Sequence, residues 1–190
     1  MIAIVSCSHY PDDERIYHKE IKTLIKKNYI INYFTLSESK DNLSNKFINH
    51  INYSSVKYSI KEYMDLVELK IRETPTKVIH IHEPELFSLA ISIKKLTGAR
   101  IIYDVHEDYI SMIYTFSRWN KHVKYLRAKY WLLKEKSFLK HVDEVIIASS
   151  TIVNSDFKTQ GFCPVLLENF PLNTWVNSIN ISNKIKNSLI

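Results

Sequence analysis

The chain has 190 residues, of which 45% are hydrophobic and 24% are charged, so it can bury the core of one globular domain. It contains only two glycines, Gly98 and Gly161, and neither a P-loop nor a GxGxxG dinucleotide-binding loop can be built from them. The formal net charge of +6 favours an anionic partner, and nucleic acid, a phosphorylated ligand and an acidic lipid surface fit that charge equally well.

The predicted location is a reducing cytoplasm. The chain opens MIAIVSC, without the basic start and long apolar segment of a secretion signal. No apolar run is long enough to span a bilayer. The two cysteines, Cys7 and Cys163, form neither a disulfide framework nor a metal-binding spacing.

Short apolar runs alternate with segments of helical periodicity along residues 1–171. Strands are predicted at residues 2–6, 29–36, 47–53, 78–82, 100–106, 144–149 and 165–168. Helices are predicted at residues 14–27, 60–71, 86–96 and 119–141, with a short one running from Ser150 or Thr151 to near Gly161. Asp12 or Asp13 is expected to cap the first helix, and residues 109–117 are predicted to be a loop.

Strands that alternate with helices predict an α/β fold, a Rossmann-like doubly wound parallel sheet. The unit formed by residues 78–106 should have a right-handed crossover. The alternation stops at Pro171. Residues 1–171 are therefore predicted to form one domain, and residues 172–190 an irregular tail or the start of a missing second domain.

Two neighbouring strands of this predicted sheet end in clusters of acids and imidazoles. The first strand runs into the sequence HIHEPE, residues 80–85, and the second into DVHED, residues 104–108. Ligands of open parallel sheets bind beyond the carboxyl ends of the strands, where both clusters lie. The sequence therefore predicts the wall of an active-site cleft at this edge.

Several segments, in this order, resemble a known family: SHYPDDERIYHKE, HIHEPELF, IIYDVHEDY, VIIASS and LLENFP. They are similar to the N-terminal, acceptor-side domain of GT-B retaining glycosyltransferases of the surface-polysaccharide group, the glycosyltransferase family 4-like enzymes. The resemblance covers residues 1–171 and implies a Rossmann-like GT-B half. The family's C-terminal donor domain is absent from the sequence.

The resemblance implies a role in polysaccharide biosynthesis. The complete enzyme would move a sugar from a nucleotide sugar, its co-substrate, to a glycan or lipid-linked acceptor. This chain alone would bind no cofactor, and it would need a donor-domain half, in the same gene product or in a separate chain. Without that half, it is expected to be inactive.

Catalytic roles fall on His106 and Glu107 by this resemblance. His106 would lie beside the donor sugar. The alternative is a purely structural histidine that hydrogen-bonds only to neighbouring backbone. Glu107 and Asp108 could contact the acceptor or serve as ordinary helix-capping acids. Asp104 is expected to make an internal hydrogen bond.

Substrate-binding roles are predicted for His82 and Glu83 at the end of the preceding strand. His80 and His82 are two residues apart and so point to the same side of the strand, with His80 expected in the core. Glu83 is expected to face the cleft, and capping of the next helix is the alternative.

The first loop adds His9 and Asp13 as predicted acceptor contacts, with a capped surface turn as the alternative. Arg15 is expected to anchor this loop by pairing with Asp12 or Asp13. Lys19 and Glu20 are expected to form a solvated pair.

The predicted helix at residues 119–141 is strongly basic and interleaved with aromatic residues. It carries seven lysines and arginines against a single acid, Glu135. Such a helix is typical of docking on an acidic membrane surface, here the inner face of the membrane. The alternative is a helix that packs on the sheet through Val123, Leu126, Tyr130 and Leu133.

Three other interpretations remain open. Without a donor domain, the chain could be a non-catalytic remnant or a binding subunit. A metal-dependent hydrolase could take its ligands from the HxH pair with Asp104, His106 and Glu107, although their spacing matches no zinc signature, and no bound metal is predicted. Nucleic-acid binding fits the charge, but no recognised motif supports it, and none is predicted.

Overall fold

The computed structural model describes residues 1–152 and 156–171. Within them, seven parallel strands form one sheet in the order β3-β2-β1-β4-β5-β6-β7. The strands are β1 Ile2–Val5, β2 Ile31–Leu36, β3 Ile48–Tyr53, β4 Val78–Ile81, β5 Arg100–Val105, β6 Glu144–Ile147 and β7 Val165–Leu166. The predicted Rossmann-like α/β fold is confirmed, and the order of the strands reverses between β1 and β4.

Helices connect these strands, except β2 and β3, which are joined by a loop. A π-helix, Glu14–Ile21, continues directly into α1, Lys22–Lys26. The others are α2 Ile60–Arg72, a 3-10 helix Pro84–Leu86, α3 Phe87–Thr97, α4 Tyr109–Phe116, α5 Lys121–Leu139 and α6 Asp156–Thr159. Gly98 ends α3 in the left-handed conformation, as its position after the helical pattern indicates. The predicted tail, residues 172–190, lies outside the described residues.

The loop predicted at residues 109–117 is wrong, because the structure has α4 there. Asp108 caps this helix by accepting hydrogen bonds from the backbone N–H groups of Ile110 and Ser111. The segment YISMIYTF is rich in β-branched and aromatic residues, which have modest helix propensity. Capping and tertiary contact with α5 therefore outweigh local propensity.

The larger core lies on one face of the sheet, under α2, α3 and α5. It joins buried residues of β1, β4 and β5 to the inward faces of these helices. Phe87 of α3 stacks on Phe138 of α5 with their ring centroids 3.8 Å apart, and Tyr103 meets Phe138 edge-on. These contacts pack the carboxyl end of α5 against the first turn of α3 and against β5.

The alternative packing of α5 through Val123, Leu126, Tyr130 and Leu133 is wrong for all but Val123, which is half-buried. The other three side chains are exposed. Their exposed fractions are 63%, 68% and 60%, and the helix packs instead through Ala128, Phe138 and Leu139. An apolar stripe of α5 is therefore left facing solvent.

The opposite face of the sheet is only partly covered, by the π-helix and α1. Ile4, Tyr33 and Ile48 of the strands pack there against Ile16 and Ile21 of the π-helix. Beside this smaller core, a cavity of about 750 Å³ opens over β1, β4, β5 and β6. Apolar side chains that include Ile2, Leu24 and Ile102 line it, and Glu20 and His80 are among its polar residues.

Candidate active site at the carboxyl edge of the sheet

The two polar clusters meet, because β4 and β5 are adjacent and parallel. Nδ1 of His82 lies 3.1 Å from Nε2 of His106. The same nitrogen of His106 lies 3.2 Å from Oδ2 of Asp104, which is also 3.6 Å from Nδ1 of His82. A neutral His106 can either donate from Nε2 to Asp104 or accept there from His82, but it cannot do both.

Arg15 closes this group from the π-helix. It pairs with Asp104 through two nitrogens, Nη2 to Oδ1 at 2.8 Å and Nε to Oδ2 at 3.1 Å. Its Nε also lies 3.1 Å from Oε1 of Glu20, and its Nη1 donates to the carbonyl of Leu167. The expected pairing of Arg15 with Asp12 or Asp13 is therefore wrong, as is the expected solvated state of Glu20, which is buried.

The π-helix explains both errors. Arg15 and Glu20 are five residues apart, and the i→i+5 repeat of a π-helix brings such residues to the same side. In an α-helix, with 3.6 residues per turn, they would face different directions. Ile16 and Ile21 are related in the same way and are both buried.

Burial shifts the pKa values of the histidines and carboxylates in this group. It lowers the pKa of His80 to about 4 and that of His82 well below its ordinary value, so both are neutral at neutral pH. Burial, with repulsion by Asp104, raises the pKa of Glu20. Burial also opposes ionisation of Asp104, but hydrogen bonds with His106 and His82 outweigh it and hold the Asp104 pKa well below its usual range.

Glu83 does not face an open cleft. Its Oε1 accepts hydrogen bonds from Ser6 Oγ at 2.6 Å, Ser8 Oγ at 3.0 Å and the backbone N–H groups of Cys7 and Ser8, both at 3.1 Å. It is buried, and its side chain makes no capping bond to the following helix. Glu83 therefore ties the loop after β1 to the end of β4, at the point where the strand order reverses.

The loop after β1 brings His9 and Asp13 to the same edge. Nδ1 of His9 lies 3.4 Å from Asp13, and its ring meets that of His106 with centroids 5.0 Å apart. The bond that His9 donates to Asp13 raises the His9 pKa above its ordinary value. Asp13 also caps the π-helix by accepting from the N–H groups of Arg15 and Ile16, as the sequence predicts for one of the two aspartates.

The predicted site residues therefore differ in access to solvent. His9, Asp13 and His106 line the edge, with the His106 side chain 12% exposed. Glu107, the next residue along the chain, is exposed to solvent, whereas the Asp108 carboxylate is hydrogen-bonded as the N-cap of α4. His82 is buried behind His106 and reaches this edge only through that ring.

The structure is similar to solved structures of glycosyltransferases. Sucrose-phosphate synthase from Thermosynechococcus elongatus superposes with a TM-score of 0.62 and 12% identity, over 88% of this chain and 47% of that one. Anabaena Alr3699/HepE in complex with UDP and glucose gives 0.57 and 13%, over 88% and 44%. A ugt transferase from Siraitia grosvenorii in complex with UDP gives 0.55 and 6%, over 88% and 50%. The chain has the fold of one GT-B half.

At identities this low, the similarity is one of fold. The chain spans about half the length of these three proteins. No protein-family model and no curated protein sequence matches it. Among the described residues, no helix combines the length and hydrophobicity needed to cross a membrane.

Proposed function

We propose that the chain is the acceptor-binding half of a retaining, family 4-like glycosyltransferase, which moves a sugar from a nucleotide sugar to a glycan or lipid-linked acceptor in polysaccharide biosynthesis. The observation that carries this proposal is His106, held by Asp104 and His82 at the carboxyl edge of β5 and partly open to solvent. The similarity of the fold to structures in complex with UDP supports it.

In this reaction the bond from the sugar carbon to the donor diphosphate breaks, and a bond to the acceptor oxygen forms. The diphosphate leaves with the electron pair, and the proton that the acceptor hydroxyl loses passes to it. The transition state carries positive charge on the sugar ring, and preorganised polar groups stabilise it. We assign His106 to hydrogen bonding with the sugar, and His9, Asp13 and Glu107 to the acceptor hydroxyls.

The buried groups have positioning roles in this proposal. Asp104 and His82 fix the orientation of the His106 ring, and Arg15 fixes Asp104. Glu83 fixes the loop that carries His9. Contacts with the donor diphosphate fall to the separate donor half, since the loop after β1 has no glycine that would let its backbone approach a phosphate closely.

Calorimetry and a sugar-transfer assay can test whether this chain binds the acceptor and a separate half binds the donor. We expect the isolated chain to show no saturable binding of a nucleotide sugar. With cell membranes as the source of acceptor and a labelled nucleotide sugar, we expect transfer only when a donor-domain polypeptide is also supplied. Tight, stoichiometric binding of the nucleotide sugar by the isolated chain would contradict the assignment of donor binding to a separate half. Absence of transfer both with and without the donor-domain polypeptide would favour a non-catalytic binding subunit.

We also propose that the surface formed by α4 and α5 docks on an acidic membrane, at the inner face where a lipid-linked acceptor would be presented. Exposed apolar side chains share this surface: Tyr114, Phe116, Trp119, Tyr125, Leu126, Tyr130 and Leu133. Basic residues surround them, and the guanidinium of Arg127 lies 4.1 Å from the centre of the Trp119 ring. Apolar contact and attraction to anionic headgroups act together at such a surface.

Vesicle binding tests this docking surface. We expect the double variant Leu126→Ser/Tyr130→Ser to bind phosphatidylserine-containing vesicles at least about tenfold more weakly, because it removes two apolar side chains from the interface. A matched control is Val56→Ser/Leu69→Ser, which removes two exposed apolar side chains elsewhere. Equal binding by the two double variants in co-sedimentation would overturn the proposed surface.

A further inference from the structure

Four side chains converge beneath the π-helix, on the partly covered face of the sheet. Glu20, His80, His82 and Asp104 are all buried, and one potential ligand atom from each lies within 4.8 Å of the others. Oδ2 of Asp104 lies 3.9 Å from Nε2 of His80, and Oε2 of Glu20 lies 4.0 Å from Nε2 of His82. Two imidazoles and two carboxylates are a donor set that zinc accepts.

Several of these atoms lack hydrogen bonds. Within residues 1–152 and 156–171, Nε2 of His80, Nε2 of His82 and both carboxylate oxygens of Glu20 have no hydrogen-bond partner. Oε1 of Glu20 has only its ion-pair contact with Arg15. Buried polar atoms in folded proteins are normally satisfied, so the three remaining atoms, Nε2 of His80, Nε2 of His82 and Oε2 of Glu20, indicate a missing ligand.

We propose that these four residues form a binding site for one divalent transition-metal ion of the zinc class. Ligand atoms about 2.0–2.1 Å from zinc are about 3.4 Å apart in tetrahedral coordination, so the group must contract by up to roughly 1.4 Å at its widest separation. The flexible side chain of Glu20, which enters from the π-helix, can supply most of this movement. His80 and Asp104 stand on β4 and β5, and His82 directly follows β4.

The surroundings meet the other requirements of a metal site. Arg15 bonds Asp104 and contacts Glu20, so both carboxylates are oriented from outside the ligand group. The raised pKa of Glu20 favours its neutral form, so binding of a cation would release that proton. With both carboxylates then ionised, the charges of Glu20, Asp104 and Arg15 sum to −1, which favours a dication. Glu20 and His80 also line the 750 Å³ cavity, which gives a hydrated ion a path to the site.

The metal would also determine the tautomer of His106. With Nε2 of His82 on the metal, its Nδ1 carries the proton and donates to Nε2 of His106, 3.1 Å away. A neutral His106 then carries its own proton on Nδ1. The ion is a positioning element in this arrangement, and the site stands whether or not the chain takes part in sugar transfer.

Metal titration of the chelator-treated chain tests the proposal. We expect one Zn²⁺ per chain, a visible spectrum typical of tetrahedral coordination when Co²⁺ replaces it, and a rise in Tm of about 5–10 °C at a hundredfold excess over Kd. His82→Gln and Glu20→Gln should each weaken binding by about 100-fold or more. His50→Gln, which alters a buried histidine on β3, should bind as the unaltered chain does.

Two results would overturn the site. One is a Co²⁺ spectrum of octahedral, aqua-like coordination, which is decisive even if every variant fails to fold. The other is Zn²⁺ binding by His80→Gln and His82→Gln at the affinity of the unaltered chain, which would place the ion on other histidines. Nitrogen NMR of the zinc-loaded chain adds a separate readout, the proton of His106 on Nδ1.

Discussion

Replacing Arg15 by methionine is expected to lower the free energy of unfolding by about 3–5 kcal/mol. The substitution leaves Asp104, which is fully buried, without its two-nitrogen partner, and it removes the charge beside Glu20. It also removes the hydrogen bond that joins the π-helix to the carbonyl of Leu167, next to β7. Urea denaturation in the presence of a chelator measures this loss without any contribution from bound metal.

Arg72→Met is the matched control. Arg72 pairs with Glu68 on α2, but its side chain is 56% exposed, so we expect a change below about 1 kcal/mol. The double variant Arg15→Met/Asp104→Leu should recover part of the stability, because it removes both charges of the buried pair. If Arg15→Met lowers the free energy of unfolding as little as Arg72→Met does, the buried pair of Arg15 and Asp104 contributes little to stability.

Much of the fold follows from local pattern. β1, β4 and β5 are short β-branched runs bounded by polar clusters, and Gly98 marks the end of the helix between β4 and β5. Because Cβ atoms alternate along a strand, the sequence places His80 and His82 on one face, and both are buried there. Adjacency of β4 and β5 then brings His82 into contact with His106.

The helical half of the site could not be predicted in the same way. The sequence predicts a helix at residues 14–27, and with the α-helical period Glu20 stays in solvent beside Lys19. A single π-helical stretch changes that period and buries Arg15 with Glu20. No residue pattern in ERIYHKEI specifies the wider turn, which forms together with the tertiary contacts of Arg15 and Ile16.

Glu83 illustrates a different limit, that of long-range pairing. Its partners Ser6, Cys7 and Ser8 lie more than 70 residues away, and only the adjacency of β1 and β4 brings them within reach. A glutamate before proline at a helix start has the local pattern of a cap or a cleft acid. The strand order, which local pattern does not determine, decides its role.

His106→Ala is expected to lower the turnover of sugar transfer by about 10²–10³-fold in the enzyme completed by its donor half. The ring stands at the carboxyl edge of β5, next to His9, and it is the partly exposed member of the His82, His106 and Asp104 group. A hydrogen bond made mainly in the transition state affects kcat more than KM. Steady-state rates at saturating donor and acceptor measure this effect.

The control is His141→Ala, which alters an exposed histidine at the amino end of β6, on the opposite edge of the sheet. Its turnover should match that of the unaltered enzyme. His106→Ala should also retain its free energy of unfolding within about 1–2 kcal/mol, since the ion pair of Asp104 with Arg15 remains. If turnover stays unchanged in a folded His106→Ala enzyme, the carboxyl edge of β5 does not carry the chemistry. The acceptor contact assigned to His9 would then lose its geometric basis, because the His9 ring is placed by its contact with the His106 ring. The contact assigned to Asp13 would fall with it, since Asp13 is placed by its pairing with His9.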